Sequence, residues 1–169
     1  ENDGRFISST TINKAAIAVP ESKASPEMIE AGKAGQPVSG LRTYGSITYA
    51  GFKSFLYANL SRDDPRVTAA WDWIQKNYAL DRNPGMPENM KNHGLYYYYM
   101  TFGRALGAFG TSRVPTPDGE RDWANDLINT LVEAQNEDGS WSNSAGRWME
   151  GDKNLATCYS LIALTNAMD

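Results

Sequence analysis

Residues 93–110 read HGLYYYYMTFGRALGAFG, and Arg104 is the one formal charge among them. At a helical period this stretch is apolar on nearly every side, so it is stable as a helix only where neighbours cover it all round. Two other segments share the property: 46–60 (SITYAGFKSFLYANL), with Lys53 as its only charge, and 154–168 (NLATCYSLIALTNAM), with none. Between them lie two amphipathic stretches. Residues 65–78 (PRVTAAWDWIQKNY) put Val67, Ala70, Trp71, Ile74 and Tyr78 on one face. Residues 120–135 put Trp123, Leu127, Leu131 and Ala134 on one stripe, with Asp122, Asp126 and Glu133 elsewhere. Charge-poor helices alternating with amphipathic ones predict an all-α fold of helix pairs in two layers. The inner layer is 46–60, 93–110 and 154–168, and the outer layer is 65–78 and 120–135.

Punctuation along the chain agrees. Asp64 before Pro65 is an N-cap followed by proline at the first helical position. Asp152 is placed to cap the last helix and to complement its dipole. Segments 81–92 and 137–151 carry turn chemistry. Residues 7–40 are predicted to be an irregular or short-β insertion, with a short helix from Ser25-Pro26-Glu27 to Gly35. The whole of 1–169 is expected to be one domain.

The net charge of −4 and the absence of basic runs argue against a nucleic-acid partner. No apolar stretch is long enough to predict a membrane span. The opening Glu1-Asn2-Asp3-Gly4 is neither a signal peptide nor a usual start, so the chain is expected to come from a longer protein. Its compartment is left open. One cysteine, Cys158, excludes an internal disulfide and cysteine-rich zinc sites. Neither a metal nor a cofactor is expected, and Cys158 reads as a small buried apolar residue.

Asn2-Asp3-Gly4-Arg5-Phe6 and Glu137-Asp138-Gly139-Ser140-Trp141 echo each other, each ahead of a charge-poor helix. The second copy lies within Leu131-Val132-Glu133-Ala134-Gln135-Asn136-Glu137-Asp138-Gly139-Ser140-Trp141. That run resembles the glutamine–tryptophan repeat of squalene and oxidosqualene cyclases, with Thr130 where the pattern has an aromatic residue. Its expected role is structural: Gly139 makes the turn, Gln135 takes open backbone groups, and Trp141 packs over Gln135 to seal the junction to the next helix. The runs Tyr44–Gly51, Asp63–Val67, Trp73-Ile74 and Gly94–Tyr99 are similar to bacterial prenyltransferase and squalene-oxidase repeat proteins. The resemblance implies a partial α/α-toroid, about half a ring, completed by the rest of a parent protein or by self-association.

The catalytic signatures of those relatives are missing. The proton-donating DxDD of class II terpene cyclases has only Ser61-Arg62-Asp63-Asp64 to match it, a helix cap. The zinc site of prenyltransferase β-subunits needs an Asp, a Cys and a later His, whereas here His93 precedes Cys158. The CGEQ thioester motif is absent. Toroidal polysaccharide lyases use Asn-His and Tyr. Asn92-His93 followed by Tyr96 and Tyr97 is similar, which makes these three side chains, His93, Tyr96 and Tyr97, the candidates for acid–base work.

Tyr96–Tyr99 span about 300° of a helix at about 100° per residue, so they cannot share one core. Tyr98, Tyr99, Phe102, Leu106 and Phe109 form the packing stripe, while Tyr96, Tyr97 and Arg104 are assigned to the mouth or cavity. With Tyr49, Lys53 and Trp148 they are the expected ligand-binding set. Aromatic walls suit apolar or cationic groups, and the expected ligand is an apolar or isoprenoid-type small molecule. Two alternatives stand beside it, a polysaccharide lyase-like enzyme and a protein-interaction scaffold.

Overall fold

The computed structural model describes residues 43–168. The insertion assigned to 7–40, its short helix and the repeat copy at 2–6 lie outside the described residues. The protein is all-α, with five helices and one small hairpin among the described residues. The helices are α1 (Gly45–Tyr57), α2 (Pro65–Lys76), α3 (Leu95–Phe109), α4 (Trp123–Glu133) and α5 (Lys153–Met168). The hairpin pairs β1 (Val114–Thr116) with β2 (Gly119–Arg121). It falls partly where the sequence reading starts a helix at 120. Pro117-Asp118-Gly119 supplies the turn, and the helix begins only at Trp123, behind its Asp122 cap.

Helix α3 lies between α1 and α5; α2 packs on α1, and α4 on α5 and α3. Three charge-poor helices thus stand in a row with the amphipathic pair behind them. Tyr98, Phe102 and Leu106 of α3 are wholly buried, and Tyr99 and Phe109 nearly so, as the stripe predicts. Burying one such side chain is worth about 1.5–3 kcal/mol. Tyr49 packs on Tyr98 and Phe102, and Phe52 on Phe109. From the outer layer, Trp71 reaches Phe52 and Phe109, and Trp123 meets Phe102. The Tyr98 and Tyr99 hydroxyls donate to the Ala79 and Leu80 carbonyls at 2.7 Å, so neither phenol is left unpaired inside.

The run from Leu131 to Trp141 forms the expected junction with one change of partner. Gly139 has φ +79°, and Gln135 Nε2 donates to its carbonyl at 2.9 Å. The open carbonyl at the end of α4, that of Leu131, is taken by the buried Trp141 indole N–H at 2.8 Å. Gln135 itself is exposed, so Trp141 seals the helix end rather than the glutamine. The Trp141 amide donates to Thr157 Oγ1 at 3.1 Å, which ties the turn to α5.

Two expectations about α5 are corrected. Its α3-facing stripe is buried at Ala156, Ser160 and Ala163, but Asn154, Cys158, Leu161, Thr165 and Met168 form an exposed stripe opposite. Cys158 is therefore exposed, not a core residue. Absence of charge makes burial possible, but α5 stands at the end of the row with no described helix beyond it.

The close approach of α3 and α5 rests on Gly103. A Cβ there would lie 3.2 Å from the Ala163 carbonyl oxygen and 3.3 Å from a Leu127 methyl, whereas at Gly107 the nearest atom would be at 3.6 Å. Gly103→Val is expected to destabilise the protein by about 1–3 kcal/mol through overpacking. Gly107→Ala should be neutral or stabilising by up to about 1 kcal/mol through helix propensity. Urea unfolding of the two variants checks the contrast.

Candidate functional site

The inner helices α1 and α3 begin without a side-chain cap of their own: Tyr44 and Gly94 occupy the N-cap positions. Their first amides are buried and need acceptors from elsewhere. Asn83, wholly buried in the loop after α2, serves α1. Its Oδ1 accepts from the Ser46 amide at 3.1 Å, and its Nδ2 donates to Ser46 Oγ at 2.7 Å and to the His93 carbonyl at 3.1 Å. Glu150, also wholly buried, serves α3. Its Oε1 accepts from the Tyr97 amide at 2.8 Å, and its Oε2 from Asn143 Nδ2 at 2.7 Å. Asn143 Nδ2 also donates to the Asn92 carbonyl at 2.7 Å. Burial pushes the Glu150 carboxyl up from its ordinary range, while the amides of Tyr97, Tyr96 and Leu95 and the Asn143 side chain pull it back. These anchors gather the starts of the inner helices at one end of the row.

An aromatic and cationic rim sits over that end. Trp148 and Met149, consecutive non-glycine residues, have φ +60° and +65°, a left-handed pair that costs about 1–3 kcal/mol per residue. The Trp148 indole stacks on Tyr44 at 6.4 Å and meets the His93 ring edge-on at 6.4 Å, and the Arg147 guanidinium lies 5.0 Å from its centre. Gly94 leaves room for it, since a Cβ there would come within 2.7 Å of the indole. Burial, then the charge of Arg147, lowers the His93 imidazole from its ordinary value and favours the neutral ring.

Along the row, one open face carries more of the expected set. Tyr97 and Arg104 are two turns apart on α3 and both exposed. Tyr97 packs edge-on against Tyr159 of α5 at 5.7 Å. On α1, Lys53 lies 5.8 Å from the centre of the Tyr57 ring. Burial, then the Arg104 guanidinium, lowers the Lys53 ammonium below its ordinary value. Among the described residues neither cation has an ion-pair partner.

The expected residues thus divide. Lys53, Tyr97 and Arg104 share one face, with His93 and Trp148 at its rim. Tyr49 is wholly buried against Tyr98 and Phe102 and cannot reach a ligand. Tyr96 is 5% exposed and packs edge-on against Tyr99, so it is a packing residue and not part of the mouth. Arg104, read from sequence as a charge on a buried helix, is in solvent and needs no buried partner. The sequence reading missed Asn83 and gave Glu150 no role. The signal was there: two helices that start without a cap require one from another segment.

A cleft of about 770 Å³ on the far side is lined by Tyr78, Arg82, Asp118, Arg121, Asp126 and other residues. Within it, Asp126 accepts from Tyr78 at 2.8 Å and from Arg121 at 2.9 Å. No cluster of three or more His, Cys, Asp or Glu able to hold a metal occurs among the described residues, and none of their helices is long and apolar enough to cross a membrane.

Comparison with family models, with curated proteins and with solved structures returned no match.

Glu150→Gln is expected to cost about 1–3 kcal/mol, because the new amide turns a donor toward the Tyr97 amide or Asn143. The raised value sets the sign of the pH dependence. The wild type's advantage over Gln is complete below the ordinary Glu value of 4.5 and shrinks as pH rises through the value of Glu150 in the fold. Thermal denaturation of both proteins across pH 4–8 measures it.

Proposed function

We propose that the chain is a squalene cyclase-like repeat domain, part of an α/α-toroid, that binds an apolar, isoprenoid-type ligand across the open face of α1, α3 and α5. One observation carries the reading: Tyr57, Tyr97 and Tyr159 stand on that face with Lys53 and Arg104, two cations without ion-pair partners among the described residues. Aromatic rings supply a wall for a hydrocarbon body, and the cations suit a diphosphate or other anionic end. The row of charge-poor helices backed by amphipathic ones, and the sealed junction at Trp141, are consistent with a toroid repeat. Binding without turnover fits the absence of a DxDD acid and of a zinc set.

The rival lyase-like reading keeps His93 with Tyr97 as its acid–base pair, since Tyr96 is buried. The two readings separate on His93. Farnesyl diphosphate and farnesol, titrated by calorimetry, are expected to bind the wild type, the diphosphate more tightly. Tyr97→Ala should weaken both by about tenfold, Arg104→Gln should weaken only the diphosphate, and His93→Ala should leave farnesol binding unchanged. No binding of either compound refutes the proposal. Cleavage of a uronate polysaccharide that disappears in His93→Ala establishes the rival instead.

A further inference from the structure

We propose that Arg147, Trp148 and His93 form an anion-binding subsite at the rim, which takes the carboxylate or phosphate of a ligand whose flat body lies on the Trp148 indole. Arg147 Nε and His93 Nδ1 are both shielded from solvent, and neither has a hydrogen-bond partner. Orphaned buried polar atoms are rare in a folded protein, and each calls for an explanation. Both side chains lie against the same indole, Arg147 at 5.0 Å and His93 at 6.4 Å between centres.

The obvious internal anion does not serve them. Glu150, three residues after Arg147, is committed to the Tyr97 amide and to Asn143. No ion pair of Arg147 occurs among the described residues. A guanidinium that keeps its fork free matches the geometry of a carboxylate or phosphate.

The backbone holds the platform in place at a cost. Trp148 and Met149 are 38% and 71% exposed despite being apolar, and both sit in the left-handed region. Packing alone gives no reason to hold two large apolar side chains outward on a strained backbone. Tyr44 stacked beneath the indole, Gly94 without a Cβ and the buried Glu150 next in the chain fix that conformation. A partly exposed indole next to an unpaired guanidinium and an unpaired imidazole nitrogen is the arrangement that receives a ring bearing an acid group.

The single histidine makes the test direct, because its imidazole gives one set of NMR resonances. Phenyl phosphate, phenylacetate and benzyl alcohol are titrated separately into the whole chain at constant ionic strength. The His93 resonances are expected to shift saturably with at least one of the two acids and not with the alcohol. Whichever acid binds more tightly identifies the group the site takes. Arg147→Gln should weaken that acid about tenfold or more, and Trp148→Ala should weaken it while leaving the circular dichroism unchanged. Equal shifts with the alcohol, no saturable shift with either acid, or unchanged binding in a folded Arg147→Gln protein would each overturn the proposal. The wild-type comparison of acid with alcohol decides the matter even if a variant does not fold.

Discussion

The described helices are arranged around the burial of α3. A helix with one formal charge in fifteen residues cannot stand in water on several sides, so neighbours must meet it on both flanks and behind. Phe102, Leu106 and Phe109 draw in α1, Trp71 of α2 and Trp123 of α4, while Gly103 lets α5 come close. Among the described residues, the side carrying Tyr97 and Arg104 is left open, and it becomes the candidate binding face.

Dense packing at the start of α3 removes the water that would otherwise satisfy its amides. The solution is neither local nor uniform. The outer helices carry their own caps at Asp64 and Asp122, where solvent is near. The inner helices α1 and α3 borrow theirs from loops further along the chain, through Asn83 and Glu150. Arg62 does the same at the far end of α3, donating to the Phe109 carbonyl and covering the Phe109 ring. The middle helix is thus closed at both ends by side chains from elsewhere in the chain, a carboxyl group at its start and a guanidinium at its end.

Charge patterning was enough to read five helices and their division into two kinds, because the cost of burying a charge dominates where a helix can sit. The packing stripe of α3 was also legible, since Tyr98, Phe102 and Phe109 recur at helical spacing. Three things were not. The charge-free sequence of α5 permits burial without providing a neighbour, so the exposure of Cys158 and Leu161 depends on its place at the end of the row. Tyr96 and Tyr97 differ by one step of rotation. Only Arg104, two turns from Tyr97, marks which of them faces water. The roles of Asn83 and Glu150 depend on loops that meet in space across the row, and periodicity carries no information about that.

Borrowed caps also bear on how such a protein assembles. The bonds that finish the inner helices join residues 37, 53 and 47 positions apart, for Ser46 with Asn83, Tyr97 with Glu150 and Arg62 with Phe109. Helical chains usually fold fast because their contacts are local, and the rate falls as contacting residues lie further apart in sequence. Here the middle helix is complete only when segments on both sides have arrived. The chain is therefore expected to fold more slowly than its helix content suggests, with its row of helices forming as one cooperative unit rather than pair by pair from one end.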